Sequence, residues 1–271
     1  MIKKFPSPFE RCTPYALNAA KLILADRGMF IADFFLATTI PFVMQVLIWS
    51  YLYRENQIPA HESMNLSQTI FYFALAIGFG RLNNGYDIIA GLSQVVREGA
   101  LEPHLLRPLP YPIQKLAEFI GGGILYTVPI LIIALTFVLT TSKIPTLHFW
   151  FGWFILLISS QILCFLVSWC IAIMSFTFTR TDFALSLLTT SAAFFGGELL
   201  PPGFWPEALQ PLMGYNPFRF MISAPAEALV KVDFVFLLES IFWCLSYIFG
   251  LTVVASLLWK NGIKKYKGAG G

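Results

Sequence analysis

Charged residues are scarce in this chain. They make up 12% of the 271 residues, whereas 57% are hydrophobic and the mean hydropathy is +0.70. Soluble domains average about 25% charged residues. The apolar residues come in runs of roughly 20 or more, the length that spans about 30 Å of hydrocarbon at about 1.5 Å per residue. The composition therefore excludes a soluble domain and predicts an all-α integral membrane protein.

Residues typical of catalytic and metal centres are also few. The three histidines have no metal-ligand spacing, the four cysteines fit neither a zinc pattern nor a disulfide framework, and no Gly-x-Ser-x-Gly nucleophile elbow occurs. These residues are His61, His104, His148, Cys12, Cys164, Cys170 and Cys244. The sequence also has no Gly-x-x-x-x-Gly-Lys-Ser/Thr loop to bind ATP phosphates. We therefore predict a protein that is not an enzyme and that binds no metal or cofactor itself.

Six apolar segments are candidate spans, and together they define one transmembrane domain over residues 29–259. The predicted spans are residues 29–53, 68–92, 119–142, 149–176, 183–200 and 234–259. In the preceding residues, 1–28, Thr13 is a suitable N-cap and Pro14 suits the first helical position. This pattern predicts a surface helix in the membrane interface. Residues 260–271 form a basic tail.

Lys and Arg residues are distributed unevenly around these spans, and cytoplasmic loops normally carry their excess. Of the 18 Lys and Arg residues, those on the side opposite the termini are only Arg54, Lys143, Arg219 and Lys231. Both termini are therefore predicted to be cytoplasmic, in a plasma membrane or a bacterial inner membrane. The net charge of +3 reflects this topology and gives no reason to expect nucleic-acid binding.

The second predicted span carries an unusual number of polar residues. A step of about 100° per residue places Asn83, Asn84 and Asp87 on one stripe, with Arg81 at its edge. A charge near the bilayer centre costs about 2.5 to 3.5 kcal/mol on insertion scales, so this stripe should face protein or water. The sequence leaves open whether it forms a subunit interface or the wall of a hydrated cavity. If Arg81 and Asp87 pair, each should depend on the other.

Further acidic residues lie near the ends of spans rather than at their centres. Asp33, Glu198 and Glu239 are each within a few residues of a predicted boundary. Hydration or pairing can stabilise a carboxylate at such shallow positions. A proton relay needs a deeper chain of carboxylates, so a proton-coupled carrier is the less favoured alternative.

The segment after the fifth span, residues 201–217, has five prolines and many apolar side chains. A broken backbone of this kind needs protein around it at membrane depth, so we predict a re-entrant hairpin in the outer leaflet. It would act as an outer gate or as a structural plug. The candidate gate residues are Glu198, Pro201, Pro202, Trp205 and Pro217.

The segment after the second span, residues 94–118, contains Pro108 and Pro110 and cannot cross hydrocarbon as a continuous helix. We expect it at the cytoplasmic membrane surface. Its Gly99, the run Leu105-Leu106-Arg107-Pro108 and Tyr111 make the chain similar to the membrane permeases of ATP-binding cassette exporters of the ABC-2-like class. The outer segment that ends at Asn216-Pro217 and the six-span arrangement with its interfacial helix match this class as well.

The resemblance implies a half-transporter, in which two identical or paralogous permeases pair within the membrane lipid and each binds a cytoplasmic ATPase that holds ATP and Mg²⁺. The segment after the second span would dock on that ATPase as a coupling helix, and alternating access would export a lipid-like, glycan-like or peptide-like substrate. A membrane scaffold or assembly subunit is the alternative. The candidate coupling residues are Glu98, Leu101, Glu102, Leu105, Leu106, Arg107, Pro108 and Tyr111.

Overall fold

The structure is a computed structural model that describes residues 8–55, 64–83, 85–141, 145–178 and 181–266. All of the regular secondary structure in these residues is helical. Short 3₁₀ turns follow the seventh and eighth helices. The helices, numbered in chain order, are α1 Pro8–Ala25, α2 Arg27–Arg54, α3 Leu66–Leu82, α4 Tyr86–Arg97, α5 Glu102–Leu105, α6 Tyr111–Thr140, α7 Leu147–Ile173, α8 Asp182–Phe195, α9 Gln210–Tyr215, α10 Pro217–Met221, α11 Ser223–Lys231 and α12 Phe234–Lys265.

Four helices are long and apolar enough to cross a membrane, and they correspond to the first, third, fourth and sixth predicted spans. They are α2, α6, α7 with the turn after it, and α12. Local capping sets several of their ends. Thr146 accepts a hydrogen bond from the backbone of Phe149 at the start of α7, and Asp233 accepts bonds from the first turn of α12. Hydrophobic runs and polar caps together therefore determine where the long helices lie.

The second predicted span, residues 68–92, is not one continuous helix, which corrects that expectation. It divides into α3 and α4 around Asn83 and Gly85, and Asn84 lies outside the described residues. The Asn83 side chain donates to the Met221 carbonyl at 2.5 Å and to Ser160 Oγ at 3.3 Å. These tertiary hydrogen bonds stabilise a conformation that ends the helix. The polar stripe therefore does not continue from α3 into α4 as one helix face.

The fifth predicted span is also divided. Helix α8 has 14 residues, fewer than the roughly 20 that a membrane crossing needs. It ends at Phe195 with Gly196 as its C-cap, and Gly197 has a positive φ of 88°. A side chain at Gly197 would meet the Tyr72 hydroxyl and Ser223, so the close approach of these neighbours requires glycine there. Residues 196–200 continue in irregular backbone.

Helix α1, which the sequence predicts as a surface helix, begins at Pro8 rather than near Thr13, so the predicted cap is wrong and Pro14 lies inside the helix. The helix packs lengthwise along α6. The contact is close because α6 carries Gly121, where an added Cβ would collide with the backbone of Ala16. Packing along α6 favours a longer helix than local capping signals alone would give.

Helix α7 forms the centre of the fold, since it packs against α12, α4, α10 and α11, and most of it is buried. Its Trp153 is fully buried and donates from Nε1 to the Pro225 carbonyl at 2.9 Å. By contrast, α2 and α12 leave most of their apolar surface exposed. Such surface is suited to lipid or to another membrane subunit.

Candidate functional site

The chain turns sharply after α4 through a glycine cap. Gly99 has φ of 66° and donates its N–H to Val96, while Ala100 donates to Val95. This is the Schellman pattern, in which a left-handed residue ends a helix and redirects the backbone. Helix α5 follows directly, with Pro103 in its first turn. The sequence therefore forms a short helical element here, bounded by glycine and proline.

One side of this segment is anchored inside the subunit. Leu101 is completely buried, and its backbone N–H donates to the Tyr266 hydroxyl at the end of α12, at 3.0 Å. The ring of Tyr111 stacks on Trp259 of α12, with ring centroids 6.0 Å apart, and also contacts Trp169 of α7. These contacts connect the segment to α7 and α12.

A buried glutamine fixes the end of the segment. The side-chain nitrogen of Gln114 donates to the carbonyls of Leu109 at 2.5 Å and His104 at 3.3 Å. Burial, with Arg107 and Lys115 nearby, lowers the pKa of His104 below its usual 6.5, so the imidazole is neutral at pH 7. The position of α5 against α6 is therefore held by hydrogen bonds that do not depend on a charged histidine.

The other side of the segment is exposed and mixes apolar with charged residues. Leu106 is 87% exposed and Leu105 is 40% exposed. Glu98, Glu102, Arg107 and Pro108 surround them and are exposed as well. We call this group the α5 face. Leu101 and Tyr111, which the sequence placed with it, are buried in the subunit core and in this conformation have no surface to offer a partner.

The charged residues near the break between α3 and α4 do not form the Arg81–Asp87 ion pair that the sequence suggested. The Arg81 guanidinium donates to the Asp33 carboxylate of α2, and no ion pair joins it to Asp87 among the described residues. The Arg81 guanidinium carbon also lies 5.9 Å from the centre of the Tyr126 ring. The partner of Arg81 therefore comes from the first long helix.

Arg81 and Asp87 line a cavity of about 380 Å³ between α1, the break between α3 and α4, and α6. We call it the inner cavity. Its charged lining also includes Lys115 and Glu118, which form an ion pair at 2.7 Å. Leu22, Ile23, Leu82, Ile88, Phe119 and Tyr126 supply apolar and aromatic walls. The cavity therefore combines charged groups with apolar surface.

A second cavity, of about 200 Å³, also has Arg81 in its lining. We call it the central cavity. Glu198 lines it together with Arg81 and Asn83, and the Glu198 side chain lies against Gly80. The structure thus groups Glu198 with the polar residues of α3 rather than with the proline-rich segment that follows it. Buried Asn83 Oδ1 has no hydrogen-bond partner among the described residues.

The start of the outer segment is held by polar side chains. Tyr72 donates to the Gly197 carbonyl at 2.7 Å, and Gln45 donates to the Leu199 carbonyl at 3.3 Å. These bonds satisfy carbonyls that the irregular backbone leaves without a helical donor.

The candidate gate residues of the outer segment are largely buried. Pro201, Pro202 and Trp205 are buried, and the Trp205 ring contacts Phe194 of α8 at 5.2 Å between centroids. Pro217 opens α10. The Trp205 ring therefore packs the end of α8 against the outer segment.

Sequence reasoning missed three contributors: Asp33 as the partner of Arg81, Tyr266 as the acceptor for the coupling segment, and the glycine run 121–123 on α6. The glycine run had a usable signal, because adjacent glycines in an apolar helix often mark close helix packing. The roles of Tyr266 and Asp33 had no signal in the local sequence, because each residue contacts another that is far away in the chain. Among the described residues, no group of three or more His, Cys, Asp or Glu side chains could hold a metal ion.

Four long apolar helices and charged cavities beside a helix break are features of a multi-pass membrane protein. The family model described as ABC-2 family transporter protein matches residues 39–270. The chain therefore belongs to this family, which confirms the resemblance seen in the sequence. It is a multi-pass, non-catalytic membrane subunit of an ATP-binding cassette transporter, and its membership implies an ATPase partner. A comparison with curated proteins gives no match.

Proposed function

We propose that this chain is the permease half of an exporter that moves an amphipathic substrate, driven by a separate ATPase that binds ATP and Mg²⁺. The α5 face carries this proposal, because it presents exposed leucines between charged residues while its other side is anchored to α7 and α12. A partner that pushes on α5 would move both helices together. Two such permeases, identical or paralogous, would form the pathway.

The substrate class follows from the inner cavity. Charged groups from α3, α4 and α6 lie beside apolar side chains from α1 and α6. A purely apolar molecule would leave those charges without solvation, and a purely polar molecule would not make favourable contacts with the apolar walls. A lipid-like, glycan-lipid-like or peptide-like amphiphile matches both.

The proposed arrangement has six crossings, in which α3 with α4 forms the second and α8 with residues 196–200 forms the fifth. Residues 201–217 would form a re-entrant hairpin, with Pro201, Pro202, Trp205 and Pro217 as an outer gate. Both termini would be cytoplasmic. The contact between Tyr266 and Leu101 supports this frame, because it places the end of α12 and the coupling segment on one side.

Cysteine labelling tests the orientation. In a background without Cys12, Cys164, Cys170 and Cys244, Glu55→Cys should react with a membrane-impermeant maleimide in intact cells, because it lies at the proposed outer end of α2. Thr177→Cys, which is also exposed, should react only after the membrane is permeabilised. Labelling of Thr177→Cys but not Glu55→Cys in intact cells would reverse the orientation.

Reconstitution tests the function. Wild-type permease should co-purify with an ATP-binding cassette ATPase, and the complex in lipid vesicles should hydrolyse ATP faster when an amphipathic substrate is added. A complex that forms but shows neither stimulated hydrolysis nor transport of any amphiphile would favour a scaffold or assembly subunit. A carrier driven by a proton gradient without ATP would contradict the proposal altogether.

A further inference from the structure

A further cavity lies beside the outer segment. It has a volume of about 450 Å³ and lies between α9, α10 and the first turns of α12. Its lining residues include Glu207, Glu239, Tyr215, Trp243 and Arg219. Its occupant depends on which of these charges already have partners.

The positive charge in the cavity is already engaged. Arg219 Nε and Nη2 donate to the carboxylate of Glu227, with the shortest contact at 3.2 Å, and Nη1 donates to the Gly214 carbonyl at 2.9 Å. All three guanidinium nitrogens thus have acceptors within the subunit. An anionic ligand would have to compete with a buried carboxylate for Arg219.

The negative charges in the cavity are not engaged. Neither Glu207 nor Glu239 has an ion-pair or side-chain hydrogen-bond partner among the described residues. Glu239 lies on a long membrane-type helix, between exposed Leu238 and Phe242. A carboxylate on such a face is stabilised by water or by a cation. The charge of the cavity therefore favours a positively charged ligand.

The rings determine what kind of cation fits. The Tyr215 and Trp243 rings pack edge to face with their centroids 5.1 Å apart, and the Tyr247 hydroxyl donates a hydrogen bond to the carbonyl of Tyr215. Trp243 is four residues after Glu239, on the same face of α12. Aromatic faces attract organic cations, whereas Mg²⁺ and Ca²⁺ require several oxygen ligands.

We propose that Glu239 and Glu207, with the rings of Tyr215 and Trp243, form a binding site for an alkylammonium group. Glu239 supplies the opposite charge and the rings contact the alkyl groups around the nitrogen. The group could belong to an outer-leaflet lipid headgroup or to a free amphiphile, and both share the same chemistry. The site is separate from the α5 face, so it does not depend on the proposed coupling.

Choline tests the site in the purified full-length chain in a neutral maltoside detergent, with isothermal titration calorimetry as the readout. Wild type should bind choline saturably and should not bind its uncharged isostere 3,3-dimethylbutan-1-ol with similar affinity. Glu239→Gln should weaken choline binding about tenfold, since it removes one contact to a charged group. Glu55→Gln removes an exposed carboxylate that does not line the cavity, so this variant should bind choline as wild type does.

A second arm distinguishes the two sources of the group. In nanodiscs, phosphatidylcholine that competes with choline identifies a lipid headgroup as the occupant, and absence of competition identifies a free amphiphile; both outcomes support the site. Three results would overturn it: no saturable choline binding by wild type, equal binding of the uncharged isostere, or unchanged binding by Glu239→Gln. None of these measurements involves an ATPase, so their failure is distinct from failure of the proposed export function.

Discussion

Leu106→Asp should abolish co-purification of the ATPase while leaving the permease folded. Leu106 is 87% exposed on the α5 face, so the substitution removes little contact within the subunit. If a partner groove buries this leucine, the burial contributes roughly 1.5 to 3 kcal/mol, and its loss weakens the complex by about 10- to 100-fold. An unpaired carboxylate placed in the groove weakens it further.

The measurement is the amount of ATPase that co-purifies with equal amounts of wild-type and variant permease, together with ATP hydrolysis in reconstituted vesicles. Leu106→Met is the matched control, because it keeps an apolar side chain of similar volume and should preserve the complex. Thermal unfolding of both variants should match wild type. Normal complex formation by folded Leu106→Asp would show that the α5 face does not bind the ATPase.

Glu227→Gln should destabilise the permease by about 3 to 5 kcal/mol, the usual cost of removing one partner of a buried ion pair. Glu227 is 2% exposed and contacts both Arg219, at 3.2 Å, and Lys231, at 3.1 Å. The substitution leaves the Arg219 guanidinium without its carboxylate. The free energy of unfolding, measured by denaturant titration in detergent, is the readout.

Two further variants make this result specific. Adding Arg219→Gln to Glu227→Gln should restore part of the lost stability, since no uncompensated guanidinium remains. Glu55→Gln removes the same charge from an exposed position and should change stability by no more than about 0.5 kcal/mol. Equal effects of Glu227→Gln and Glu55→Gln would contradict a structural role for the ion pair.

The stability difference between wild type and Glu227→Gln should also depend on pH. Burial by itself would raise the pKa of Glu227, but Arg219 and Lys231 outweigh it and hold the pKa below the usual 4.5. A carboxylate with a lowered pKa in the folded state contributes stability above the unfolded pKa. The difference should therefore be complete above about pH 4.5 and should shrink as the pH falls through the lowered pKa.

The sequence by itself determined the class of protein, the four long helices and the helix ends around the segment between α4 and α6. Hydrophobic runs of 20 or more residues leave few alternatives to a membrane helix, because every backbone polar group must be satisfied within the segment. Gly99 and the prolines after it end helices by local backbone geometry alone. Such features depend on neighbouring residues, so they can be read directly from the chain.

Only the tertiary structure decided how the polar residues are used. The break after α3 is stabilised by Met221 and Ser160, the partner of Arg81 is Asp33, and the acceptor for the Leu101 N–H is Tyr266. Each of these contacts joins residues at least 48 positions apart. No local periodicity encodes such a pairing, because it arises from helix packing, which brings distant polar groups within hydrogen-bond distance and buries them together.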